Sequence, residues 1–283
     1  MLLPISWQHM DSLPTLALES TFQTLAAISL TLQGLNKMTR KTIILYRGPS
    51  LINGKPIVAL AQSTSTNTKT GDMVQTFVLD DTVDPLTASR TGADESICGD
   101  CPHRGTPNNN AKGQATNRSC YVTLAHAPLG KYKALKKGVY GDTVATRQEI
   151  VAFGMGQGVR LGTYGDPCAV PNHVWESLIS RAKFQTAYTH GKTNPMPESI
   201  MTSADNATQA KGAWDKGERT FRVISNVAQL IKGKEILCPA SEEAGRKAQC
   251  NSCKLCGGAS VKGKSIAIVA HGTSKNKAKE LVG

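Results

Sequence analysis

From Val159 to Leu281 the chain repeats one local pattern: an extended apolar run, a polar turn, then a helical run. No other feature limits the fold as strongly. Alternation of this kind places strands side by side in parallel, with helices crossing between them. The extended runs are Val159–Thr163, Thr186–Thr189, Ser199–Ser203, Thr220–Ile224, Glu235–Leu237 and Ser265–Ala270. Helices are expected from Pro171 to Phe184, from the cap Asn206 to Gly217, over Val227–Lys232 and over Lys275–Leu281. The pattern predicts an α/β fold, a complete or partial (βα) barrel, with a doubly wound open sheet as the competing arrangement.

The N-terminal half is less regular. Thr42–Tyr46, Ile57–Ala61 and Val74–Leu79 read as strands, and Leu129–Val139 and Thr143–Phe153 as helices. Residues 80–119 are rich in Asp, Pro, Gly and Asn, and read as a long loop that a metal would order. Residues 38–283 form one expected α/β domain with inserted cysteine-rich segments. In residues 1–37, Phe22, Leu25, Ile28, Leu32 and Leu35 recur at helical spacing. That segment is expected to be an amphipathic docking helix, or an extension ahead of a start at Met38.

Charge points to a partner. Lys and Arg number 33 against 21 Asp and Glu, a formal charge of +12. Residues 1–37 hold only Asp11, Glu19 and Lys37, so the rest of the chain bears the whole positive balance. The lysines cluster at 131, 133, 136 and 137, at 262 and 264, and at 275, 277 and 279. A basic surface of this kind favours nucleic acid. No apolar run is long enough to cross a membrane, so no membrane partner is expected. No basic start precedes the first apolar run, so a cytoplasmic location is expected, in the host if the chain is phage-encoded.

The residues after the extended runs carry chemistry. Asp166 follows the first, His190 the second, Asp205 the third, Ser225 the fourth, Cys238 the fifth and His271 the sixth. The carboxyl ends of parallel strands share one face, where active sites form. Asp166, His190, Asp205 and His271 are therefore the candidate catalytic residues, the aspartates as nucleophile or base and the histidines as proton carriers. Asp166 and Asp205 also sit where helix caps are common, so capping alone also accounts for either.

Cysteine spacing is the strongest local signal. Cys238, Cys250, Cys253 and Cys256 form C-x11-C-x2-C-x2-C, a set that suits a tetrahedral zinc or a [4Fe-4S] cluster. A second set is Cys98 and Cys101, with Cys120 as a third ligand and His103, His126 or Cys168 as the fourth. The two sets are also compatible with halves of one site. With no export signal, such spacing reads as metal binding before disulfides. Gly154, Gly156 and Gly158 precede a strand, the reverse of a dinucleotide fingerprint. The radical SAM spacing C-x3-C-x2-C is absent.

Several ordered blocks carry a resemblance: Tyr46–Ser50, Cys98–Arg104 with Cys120-Tyr121, Leu161–Pro171, Tyr188–His190, Thr220–Val223 and Cys238–Cys256. Over residues 38–271 they resemble a cysteine-rich family of bacteriophage and prophage proteins. The resemblance implies a phage setting and brings no activity or catalytic residue with it. The layout is also loosely similar to the (βα) barrels of base-exchanging transglycosylases. Their C-x-C-x2-C spacing with a distal His is not matched here.

Three functions follow. The first is a metal-containing enzyme that modifies or cuts nucleic acid or a nucleotide. The second is a metal-stabilised nucleic-acid-binding protein without catalysis. The third is an iron–sulfur redox or radical enzyme.

Overall fold

The computed structural model describes residues 41–63, 68–109 and 112–283. The amphipathic helix expected within residues 1–37 lies outside them. The described chain is α/β, with ten strands in two sheets.

The first sheet has the order β1-β2-β3-β4-β5. Its strands are β1 (Thr42–Pro49), β2 (Pro56–Gln62), β3 (Val74–Asp80), β4 (Gly158–Tyr164) and β5 (Phe184–Thr186). The pairs β1/β2 and β2/β3 are antiparallel, whereas β3/β4 and β4/β5 are parallel. All seven residues of β3 are buried, as expected for a central strand covered on both faces. The second sheet has the order β6-β7-β8-β10-β9, and all of its pairings are parallel. Its strands are β6 (Tyr188–Thr189), β7 (Met201–Ala204), β8 (Thr220–Ile224), β9 (Glu235–Leu237) and β10 (Ser265–Val269). Only Ala187 separates β5 from β6, and its carbonyl accepts the Met201 N–H at 3.0 Å. One extended segment thus links the two sheets.

Eight α-helices lie among the described residues: α1 (Pro85–Thr91), α2 (Glu95–Cys98), α3 (Ala127–Lys136), α4 (Arg147–Gly154), α5 (Asn172–Ile179), α6 (Ala207–Asp215), α7 (Cys250–Cys253) and α8 (Lys275–Val282). Local chemistry sets their ends. Thr146 and Glu149 form a reciprocal capping box on α4, and Asn206 caps α6 through the Gln209 N–H. Helices α4 and α5 pack closely because residue 154 is glycine; a Cβ there would lie 1.9 Å from the Leu178 carbonyl oxygen. Trp175 of α5 is fully buried and donates its indole N–H to the Pro167 carbonyl at 2.8 Å.

Three expectations are corrected. No closed barrel forms among the described residues. β10 inserts between β8 and β9, so strand order departs from chain order, and β1 and β9 have one partner strand each. Residues 80–119 are not one loop. Asp84 accepts the Leu86 and Thr87 N–H groups and opens α1 with Pro85 in its first turn, and α2 follows. The helix expected at Val227–Lys232 shrinks to the single turn Val227–Gln229. There the Gln229 carbonyl goes to Arg222 and the Ile231 N–H goes to Glu235, so side chains take groups that a longer helix would need.

Candidate metal centre

The parallel strands β4, β6, β7, β8 and β10 end on one side, and a cleft of about 1100 Å³, counting its open mouth, lies there. Asp166, His190, Asp205 and His271 all line it, as the strand ends predict. Cys98, Cys101, His103 and Cys120 line it too.

The loop from Cys98 to Arg104 is held by protein contacts. The Arg104 guanidinium donates twice to Asp94 Oδ1, at 3.0 and 2.7 Å, and also reaches the carbonyls of Gly92 and Gly99. The His103 carbonyl accepts the N–H groups of Ser119 and Cys120. Gly105, at φ 79°, passes so close to Thr116 that a Cβ would lie 2.4 Å from its carbonyl oxygen. These ties bring His103 under the strand ends.

Two imidazoles converge on one oxygen. His103 Nε2 lies 3.1 Å from Asp205 Oδ1, and His190 Nε2 lies 3.2 Å from the same atom. Their side chains are only 9% and 24% exposed and that of Asp205 11%, so the pairs act in a poorly screened setting. His103 Nδ1 meets Ser119 Oγ at 2.8 Å, which fixes the ring from its far side. The Asp205 backbone N–H donates to Gln209 Oε1. Among the described residues, these three are the one set of three His, Cys, Asp or Glu donors whose ligand atoms all lie within 4.8 Å of one another.

The electrostatics follow from this geometry. Burial raises the Asp205 pKa, but hydrogen bonds from both histidines outweigh it and hold the carboxyl well below the usual carboxylate range. Burial lowers the His190 pKa, but Cys101 and Asp205 beside it carry the imidazole well above its usual value. Cys98 and Cys120 are pushed up, chiefly by burial, and are thiols when no cation is bound.

A scan of protein-family models, a search of curated proteins and a search of solved structures each find no match to this chain. Geometry alone therefore guides the reading of the site.

The other expected residues have different settings. Asp166 is saturated: Oδ1 accepts the Cys168 N–H at 3.0 Å and the Thr189 hydroxyl at 2.7 Å, and Oδ2 accepts the His190 N–H at 2.7 Å. That is the environment of a positioning residue rather than of a free base. His271 stands outside the three-donor group. Its Nδ1 faces the Val269 carbonyl at 3.2 Å and therefore carries the proton, so Nε2 accepts from Lys69 Nζ at 3.1 Å. Burial, reinforced by the Lys69 charge, lowers the His271 pKa, and its ring stacks on Tyr121. His126 is exposed at the start of α3. Cys168 donates its backbone N–H to Asp166 and forms no three-donor group with Cys98 and Cys101.

The cysteine sets are looser than a single-ion site. No three sulfurs of Cys98, Cys101 and Cys120, or of Cys238, Cys250, Cys253 and Cys256, lie within 4.8 Å of one another. The first set lines the cleft and the second does not. Sequence reading offered His103 only as an alternative fourth ligand near Cys98 and Cys101. Nothing local pairs it with Asp205, which is 102 residues away. Ser119, Lys69 and Arg160 carried no sequence signal.

The basic helix α3 turns part of its charge inward. Lys131 lies over the rings of Phe77 and Tyr140, and Lys136 donates to the Asp81 carbonyl. Lys133 and Lys137 are exposed.

Proposed function

We propose that the protein is a metal-dependent enzyme acting on nucleic acid or a nucleotide, with a divalent cation held by His103, His190 and Asp205. The observation that carries this reading is the convergence of two imidazole Nε2 atoms on one carboxylate oxygen, where parallel strands end in a cleft. Two imidazoles and a carboxylate suit zinc or ferrous iron. When bound, such a cation polarises a substrate oxygen as a Lewis acid.

The chain's own residues prepare the site. Ser119 orients His103, Asp166 orients His190 and Gln209 holds the backbone of Asp205. His271 is neutral and presents its Nε2 lone pair to the Lys69 ammonium, a pairing suited to carrying a proton. Tyr121, Tyr188 and Phe221 wall the cleft with ring surface, which suits a planar base. The charge of +12 favours a phosphate-bearing ligand. The resemblance to phage proteins accords with that substrate class. In this reading Asp205 and His190 are ligands first, and the two cysteine sets supply further zinc or [4Fe-4S] sites.

The test is turnover. Full-length protein loaded with zinc or with ferrous iron is incubated with DNA, RNA and mononucleotides, and products are sought by mass spectrometry. A product with the wild type, absent in folded His103→Ala and Asp205→Ala, supports the proposal. Salt-sensitive binding without product in any of them would instead select the non-catalytic nucleic-acid-binding protein. Absence of binding would overturn the substrate class.

A further inference from the structure

Cys238, Cys250, Cys253 and Cys256 gather on one side of the second sheet. Cys238 follows β9, and its N–H donates to the Ala267 carbonyl of β10 at 2.8 Å. Helix α7 carries Cys250 and Cys253 and is anchored by the segment ahead of β3. The N–H groups of Cys250 and Asn251 donate to the carbonyls of Lys69 and Thr70, and the Gln249 side chain donates to that of Thr68. Gly71 allows this contact; a Cβ there would lie 2.3 Å from the Asn251 side chain. Lys254 adopts the left-handed conformation at φ 57°. Beyond that turn Cys256 is buried against Met201, Ile266 and Ile268. Cys238 and Cys256 share this buried cluster.

Burial pushes the thiols of Cys238, Cys250 and Cys256 up, and cationic groups beside Cys238 and Cys250 oppose that rise. The Ser241 N–H donates to the Cys238 carbonyl at 2.9 Å. Tyr188 packs against the buried cluster that holds Cys238 and Cys256. Arg160 and Lys69 stand against the set as cations. Arg160 has no ion pair with a carboxylate among the described residues, and its buried Nε has no hydrogen-bond partner. A half-buried guanidinium without a counter-charge is costly, and a thiolate centre supplies that charge.

Spacing then separates the two kinds of centre. Four sulfurs on one tetrahedral zinc, each near 2.3 Å from the ion, lie about 3.8 Å apart. No three sulfurs of this set come within 4.8 Å of one another. A four-iron cluster gives each thiolate its own iron, which spreads the sulfurs more widely.

We propose that Cys238, Cys250, Cys253 and Cys256 hold a [4Fe-4S] cluster, and that Tyr188 and Arg160 tie this cluster to the cleft. Tyr188 lines the cleft while packing against the cluster of Cys238 and Cys256, and Arg160, whose charge acts on Cys250, donates to the hydroxyl of Tyr121, which also lines the cleft, at 2.5 Å. This centre is separate from the His103–His190–Asp205 group, so either can be present without the other.

The experiment is anaerobic reconstitution of the full chain with ferrous iron and sulfide. Iron and acid-labile sulfide, visible absorption and the electron paramagnetic resonance of the dithionite-reduced protein are measured. The expected result is equal iron and sulfide, about four of each in this set. That amount should be lost when Cys250→Ser is combined with Cys253→Ser and kept in His103→Ala. Stoichiometric zinc without iron uptake would overturn the cluster, as would full iron content in the double serine variant. Tyr188→Phe keeps all four cysteines. Loss of the hydroxyl beside this cluster should lower its reduction potential, and an unchanged potential would overturn the tie to the cleft.

Discussion

Asp166 Oδ2 accepts the backbone N–H of His190 at 2.7 Å, so the aspartate after β4 fixes the histidine after β6. The relationship joins two parallel-strand ends and aims His190 at Asp205. It also separates two roles for Asp166. A catalytic base can lose its charge with little effect on stability, whereas a saturated buried acceptor cannot.

Asp166→Asn should therefore destabilise the protein by about 1–3 kcal/mol, because its amide NH2 must face one of three donors. Thermal unfolding measures the loss. Cation affinity should fall with it as His190 is released. A variant with wild-type stability and no turnover would instead make Asp166 a catalytic base.

The cation site has its own signature. Asp205→Asn or His103→Ala should remove one equivalent of bound cobalt or zinc, read by calorimetry or by cobalt absorption. Ser119→Ala leaves all three donors in place and removes only the bond to His103 Nδ1. It should weaken binding by about 10–100-fold.

Cation binding should strengthen as pH rises. The raised pKa of His190 means that a proton occupies the ligand nitrogen well above the usual imidazole range. Below that pKa a cation must displace the proton, at about tenfold in affinity per pH unit for each proton released. The metal-free protein should behave oppositely. A pKa raised on folding contributes stability that is fully present below the unfolded value near 6.5 and is lost as pH rises through the folded value. Binding titrations and melting curves across neutral pH test both halves, and Asp205→Asn should weaken the pH dependence of the melting curves.

Away from the cleft, Arg222 and Glu235 form a two-pronged buried ion pair, with both contacts at 2.7 Å and exposures of 3% and 0%. They sit on β8 and β9, with β10 between, and the small residues Ser265 and Ala267 share their registers. Removing one partner strands a buried charge. Arg222→Met should cost about 3–5 kcal/mol. Chemical denaturation measures it, and adding Glu235→Leu should restore part of the loss.

The cap of α1 gives a test at acid pH. Burial raises the Asp84 pKa, but hydrogen bonds from Thr87 and Leu86 outweigh it, and the net shift is downward. The cap's contribution is then present above the unfolded carboxylate value and fades as pH falls through the folded one. Asp84→Ala should cost about 1 kcal/mol at neutral pH, a gap to the wild type that narrows in acid melts.

Local physics made much of this legible in the sequence. Apolar runs marked β8 and β9 to the residue, because a buried strand needs consecutive apolar or β-branched side chains and its ends need turns. Asn206 marked a helix start through a cap that acts within three residues. Strand-end placement brought Asp166, His190, Asp205 and His271 to one cleft, since parallel strands share a direction. Tertiary structure decided the rest. The pairing of β10 between β8 and β9 depends on nonlocal hydrogen bonds, and a buried ion pair spans it. The grouping of His103 with His190 and Asp205, and the spread of the cysteine sulfurs, are distances between segments far apart in the chain. Sequence spacing names the ligand atoms available; only the packing of separate segments sets how far apart they stand.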